Sequence, residues 1–309
     1  MMVLCTGGGA LSSFCWQRSR GWRRQGGMTD KKMGHFVVRA RTGRYPFLDE
    51  ARARWVWQRL QASFPDALAA ILMPNHLHLL THDGDGARRR LAAVVAASGR
   101  ALGEAEGRGA LWQPVEAPTM VDSPDKLRRS VRYVWLNCCR PWRLEGRWVQ
   151  LVDDPLRWRW STLHDSIGAI VDPWVTGARV ARAFGWATGA DVGRRLHAYA
   201  TQDEHVADSA QVFPVAPAPA DAPDRALVDV LEAALRTTRL GSEALRRKTP
   251  ARRVAIGLAY RQGWRHPKGL APTFGVHRAT VCKIAARAST RETEAAALCL
   301  DPRLSLIHI

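Results

Sequence analysis

The sequence predicts an α+β protein: an antiparallel sheet with helices on one face, followed by a small all-α domain. Three observations predict it. Short apolar and β-branched runs alternate with helix-period runs over residues 35–138. Two of those runs meet across Pro74-Asn75, a turn dipeptide, so they read as antiparallel neighbours. Beyond a Pro-rich stretch at 205–224, only helical periodicity remains.

The first strand is HFVVRAR, His35 to Arg41, with a β-branched centre and polar edges. A helix follows over Asp49 to Phe64, where Trp55, Leu60 and Phe64 can share a face. Ala67 to Met73 and His76 to His82 are the second and third strands. In the third, alternation puts His76 and His78 on one face and Leu77 and Leu79 on the other. Arg88 to Glu104 is a long helix with Leu91, Val94, Val95 and Leu102 on its apolar face. The order strand–helix–strand–strand–helix is a ferredoxin-like start.

Ala110 to Val121 holds two prolines and reads as an extended edge. Ser123 and Pro124 suit the N-cap and first position of a helix over Asp125 to Cys138. Its Arg128, Arg129 and Arg132 form a basic face, solvated or laid along phosphates. Trp142 to Trp160 is dense in Trp and Arg. It reads either as a stacking surface for single-stranded nucleic acid or as packing; Trp158 and Trp160 are assigned to packing. Short helices are expected over Gly177 to Trp186 and Asp191 to Ala200.

Domain boundaries follow. Residues 1–32 lack periodicity and read as disorder or an over-extended start. Residues 33–175 form the sheet domain, 176–204 a helical extension and 205–224 a solvated linker. Residues 225–290 form the helical domain and 291–309 a tail. Within the tail, LSLIHI, Leu304 to Ile309, is what a sequencing-library adapter encodes in frame, and is expected to be an assembly scar.

The chain carries a net charge of +18 over 309 residues. That excess points to a polyanionic partner, nucleic acid before an acidic membrane surface. No apolar run is long enough to span a bilayer. The six cysteines include no Cys-x-x-Cys pair, which argues against a zinc ribbon and for a reducing cytoplasm.

The stretch MPNHLHLL, Met73 to Leu80, supplies half of a divalent-metal site if the two imidazoles converge. The plainer reading is a hydrogen-bonded His pair. MPNHLHLL, LWQP (Leu111 to Pro114), RYVWLN (Arg132 to Asn137) and LVDDPLRWRWST (Leu151 to Thr162) together resemble the HUH single-tyrosine transposases. Within them they are similar to the REP-associated tyrosine transposase-like group. The resemblance covers about Gly34 to Pro173. It implies a DNA-gripping palm of antiparallel sheet, a bacterial mobile-element origin, a nucleoid location and a homodimer. It also implies a Mg or Mn ion on His76 and His78 that draws charge off a scissile phosphate while a tyrosine attacks.

The chain departs from that pattern where the nucleophile is expected. After LWQ the residues are Pro114, Val115, Glu116, Ala117 and Pro118, with no tyrosine between Tyr45 and Tyr133. Cys138 stands where the family pattern has a proline. Two readings compete, beside a third, a metal-dependent hydrolase with water as nucleophile, for which the chain offers only two good ligands. One is a domesticated protein that binds single-stranded or hairpin DNA without efficient cleavage. The other is an active transposase or nickase using Tyr133 through a phosphotyrosine.

Near the C-terminus, PKGLAPTFGVHRATVCKIAAR, Pro267 to Arg287, resembles a helix-turn-helix. Gly275 permits the left-handed turn, and Val276, Val281 and Ile284 lock the second helix. Its outward face would carry His277, Arg278, Thr280, Lys283 and Arg287 toward duplex DNA.

Overall fold

The computed structural model describes residues 33–41, 44–82, 86–103, 111–144, 147–201 and 225–301. The expected start segment at 1–32, the linker at 205–224 and the residues at 304–309 lie outside the described residues.

Strand β1 (Met33–Arg39) pairs antiparallel with β3 (His76–His82), which pairs with β2 (Ala69–Met73). On its other side β1 pairs with β4 (Thr119–Val121), giving the order β2-β3-β1-β4. Helix α1 (Glu50–Ser63) connects β1 to β2, and α2 (Ala87–Gly103) connects β3 to β4. This is a split βαβ arrangement, as the element order in the sequence predicts. Asp49 caps α1 by accepting from the Arg52 amide, and Ser123 caps α3 (Pro124–Leu136) by accepting from the Lys126 amide.

Side chains along β1 and β3 alternate as expected. Phe36, Val38, Leu77 and Leu79 are buried on one face; His35, Val37, His76 and His78 share the other. The expectation of helices on one face is corrected. Helix α3 lies over the histidine face, with Leu127, Val131, Val134 and Trp135 turned inward and contacts to β2 and β3. Every residue of β2 is buried, which requires cover on both faces of the sheet.

The free edge of β2 is covered by the Trp-Arg tract. The Leu72 amide donates to the Trp160 carbonyl at 2.9 Å, and the Thr162 amide to the Ala70 carbonyl at 3.0 Å. Trp160 is buried against Trp57, and the Trp158 indole donates to the Leu72 carbonyl at 2.7 Å. These two tryptophans pack, as assigned from sequence. Upstream, β5 (Trp142–Leu144) and β6 (Arg147–Val149) form a separate hairpin. A short α4 (Leu163–Ser166) leads to α5 (Gly177–Ala183) and α6 (Val192–Thr201).

The C-terminal helices are α7 (Leu227–Thr238), α8 (Pro250–Arg261), α9 (Pro267–Phe274), α10 (Arg278–Ala286) and α11 (Thr290–Leu300). Helix α11 falls in the stretch expected to be tail; it packs on α7 and α8 with Thr293, Ala295, Ala296 and Cys299 buried. These helices seat directly on the sheet region. Arg239, in left-handed conformation at φ 54°, sends its guanidinium to the buried Asp165 carboxylate and to the Ser161 carbonyl. Arg159 reaches Glu50 and the carbonyls of Leu235 and Leu240, and the Val171 amide donates to the Thr237 carbonyl at 3.2 Å.

Candidate functional site

Three histidines meet on the α3 face of the sheet. His76 and His78 come from alternate positions of β3. His35 comes from β1, where the register places it opposite Leu80 and diagonal to His78. The His35 Nε2 and His78 Nδ1 atoms share a hydrogen bond of 3.0 Å, with the rings stacked at 5.2 Å between centroids. On its other side, His78 Nε2 lies 3.2 Å from Asn137 Nδ2. The Asn137 amide donates there, which leaves the His78 Nδ1 proton for His35. His76 Nδ1 is engaged by Asn75 Oδ1 at 2.8 Å.

Burial holds the imidazoles neutral. His78 is 3% exposed, and desolvation pushes its pKa well below the usual value, helped by His76, His35, Arg39 and Arg140 nearby. Burial lowers His76 to about 4, opposed by a hydrogen bond that His76 donates to the Asn137 side chain. Burial also lowers His35.

Tyr133 closes the cluster from α3. Its ring sits edge-on to His78 at 5.6 Å and to His35 at 6.0 Å, and the Arg140 guanidinium lies 4.3 Å over its face. Above His35 and His78 opens a cleft of about 730 Å³. Its cationic lining is Arg39, Lys126, Arg129, Arg132 and Arg140, with no carboxylate among its described lining residues. Lys126 pairs with Asp122 at 3.5 Å, and Arg132 donates to the Tyr199 carbonyl. Arg39, Arg129 and Arg140 are exposed.

The structure thus brings Tyr133, His76 and His78 into one neighbourhood. Sequence reasoning missed His35, Asn137 and Arg140 as members of it. Asn137 had a signal, as the last residue of RYVWLN; His35 had none beyond its place in a strand. Val115, at the expected nucleophile position, is half-buried and its carbonyl accepts from Arg88 Nε at 3.0 Å. Far from this cluster in sequence, Arg278, Lys283 and Arg287 of α10 and its C-cap are exposed, and Thr280 is half-buried. Gly275 ends α9 at φ 61°.

The fit of a divalent ion is poor as the side chains stand. Both ring nitrogens of His78 are occupied by His35 and Asn137, so it offers no free lone pair. Among the described residues no group of three His, Cys, Asp or Glu side chains is arranged to hold a metal.

No family model and no curated protein matches the chain. Among solved structures, one described as a REP-associated tyrosine transposase bound to a REP hairpin is similar at 19% identity and a TM-score of 0.36. It covers 52% of this chain and 87% of its own. No helix of the described residues is long and apolar enough to cross a membrane.

Proposed function

We propose that this chain binds single-stranded or hairpin DNA in the cleft over the histidine cluster, as an HUH-transposase-like protein with impaired strand cleavage. One observation carries the reading: five cationic side chains and no described carboxylate line a cleft floored by His35 and His78, whose charged forms burial disfavours. Guanidinium groups recognise phosphate bidentately, and the Tyr133 ring with Arg140 over it adds a partly exposed aromatic and cationic surface at the cleft. The exposed cations of α10 extend the same preference to duplex DNA beside the hairpin. Impaired cleavage follows from Val115, which has no group able to attack phosphorus.

A second reading has its own support. Tyr133 is the one tyrosine of the cleft and touches two of its histidines. In that reading its hydroxyl attacks a phosphate, a 5′-phosphotyrosine forms and a 3′-hydroxyl leaves.

A labelled hairpin with single-stranded flanks, titrated with and without Mn²⁺, tests both. Binding without a covalent adduct on a denaturing gel is the expected result. Arg129→Ala should weaken binding and flatten the slope of log affinity against log salt by about 0.7, one single-strand phosphate. An adduct abolished by Tyr133→Phe would replace the first reading with the second. Absence of binding at low salt, or a slope near zero, would remove both.

A further inference from the structure

Cys138 and Cys139 sit between Asn137, which backs the histidine cluster, and Arg140, which lines the cleft. Asn137 bonds His78, and Arg140 covers the Tyr133 ring. The four residues form one 3₁₀ turn, closed by the Arg140 amide donating to the Asn137 carbonyl at 3.2 Å. The two sulfur atoms are 4.0 Å apart. Cys138 is fully buried and donates to the Trp135 carbonyl, whereas Cys139 is half-buried. Contact with the Cys138 sulfur holds the Cys139 thiol below its ordinary pKa, and the same contact together with burial pushes Cys138 up. A reachable, more acidic thiol beside a buried partner is the arrangement in which one sulfur meets an oxidant and the second resolves it.

We propose that Cys138 and Cys139 form a peroxide-sensitive vicinal dithiol whose oxidation weakens nucleic-acid binding in the adjoining cleft. The Cys139 thiolate attacks one oxygen of hydrogen peroxide; the O–O bond breaks, hydroxide leaves and Cys139 becomes a sulfenic acid. The Cys138 sulfur then attacks the Cys139 sulfur. The S–S bond forms, the S–O bond breaks, and the hydroxyl departs with the Cys138 proton as water. Two thiols and one peroxide give one disulfide and two waters.

Geometry ties this chemistry to the cleft. Successive Cα atoms lie about 3.8 Å apart, short of the roughly 4.4–6.8 Å that disulfides prefer. The bridge must distort the turn, which also keeps it readily reducible. It removes the hydrogen that Cys138 gives the Trp135 carbonyl and twists the peptides carrying Asn137 and Arg140. Both side chains then leave their places against His78 and Tyr133. The effect on binding rests on the reading of the cleft given above; the thiol chemistry does not.

The test uses the full chain with Cys5, Cys15 and Cys282 changed to serine, treated with hydrogen peroxide. Peptide mass spectrometry reads the thiols, and fluorescence anisotropy with the flanked hairpin reads the cleft. The expected result is loss of two hydrogens from the peptide spanning both cysteines, with affinity falling about tenfold and returning with dithiothreitol. In Cys138→Ser, Cys139 should stop at a sulfenic acid that dimedone traps, and in Cys139→Ser affinity should ignore peroxide. An unchanged peptide mass overturns the proposal, and a disulfide with unchanged affinity overturns the link to the cleft. Failure of the reduced protein to bind any hairpin, with the mass loss still seen, removes the cleft reading and leaves the dithiol chemistry supported.

Discussion

Arg239→Ala tests how firmly the C-terminal helices are held to the sheet. The Asp165 side chain is 0% exposed and that of Arg239 is 9% exposed. The guanidinium makes two bonds to the carboxylate and one to the Ser161 carbonyl, and lies 4.6 Å over the Trp57 ring. Without it, Asp165 keeps the Trp174 amide at 2.7 Å as its partner in a dry site. Removing one member of a buried pair costs about 3–5 kcal/mol, because the survivor stays charged and unpaired. Alanine keeps the left-handed backbone cost at position 239, so nothing is recovered there. At about 2–4 °C per kcal/mol, the melting temperature should fall by roughly 6–20 °C. Urea and thermal melts of the full chain, followed by tryptophan fluorescence, measure this. The double variant Arg239→Met with Asp165→Leu should regain most of the loss, since both charges leave together. A loss under about 1 kcal/mol for Arg239→Ala, or no recovery in the double variant, refutes the argument that the pair is dry and mutually dependent.

Three further outcomes are expected. Gly257→Ala should destabilise the chain by about 1–3 kcal/mol, because the new methyl would lie 2.6 Å from Ala288 Cβ and 2.8 Å from Thr293 Cγ2; an unchanged urea midpoint would show that α8 and α11 part without strain. Trp112→Phe should cost about 1–3 kcal/mol by leaving the buried Ser98 hydroxyl without the indole N–H it accepts at 2.8 Å, and Ser98→Ala combined with it should cost little more. Acid should also destabilise the fold. Burial holds His164 down to about 3 against 6.5 in the unfolded chain. Its pKa is depressed on folding, so its contribution is full above pH 6.5 and is lost as pH falls toward 3. At pH 5 the loss from His164 alone is roughly 2 kcal/mol. A urea midpoint that does not move between pH 7.5 and pH 5 would contradict this.

The elements of the sheet domain were legible because they are local. Strand alternation placed His76 and His78 together, and Ser123-Pro124 marked the start of α3. What escaped was non-local. His35 joins the cluster only through the β1–β3 register, which depends on contacts 43 residues apart. The cover that α3 gives the histidine face was also hidden, because β2 reads simply as an apolar run. Helix α11 was missed since its buried side is mostly alanine, with Thr293 and Cys299 beside it, and carries a weak apolar stripe. The seating of α7 on the sheet hangs on Arg239, a charged residue that sequence patterning assigns to solvent.

The hydrogen bonds that residues 160–162 make along β2 also bear on how copies of the chain can meet. An exposed strand offers unpaired amides and carbonyls to any matching chain, and so seeds continuous sheets. Here one margin of the sheet is already occupied by the chain's own backbone, and the other is a strand of only three residues. Self-association by strand addition is therefore disfavoured at both margins. A homodimer would have to use surfaces other than these two margins of the four-stranded sheet.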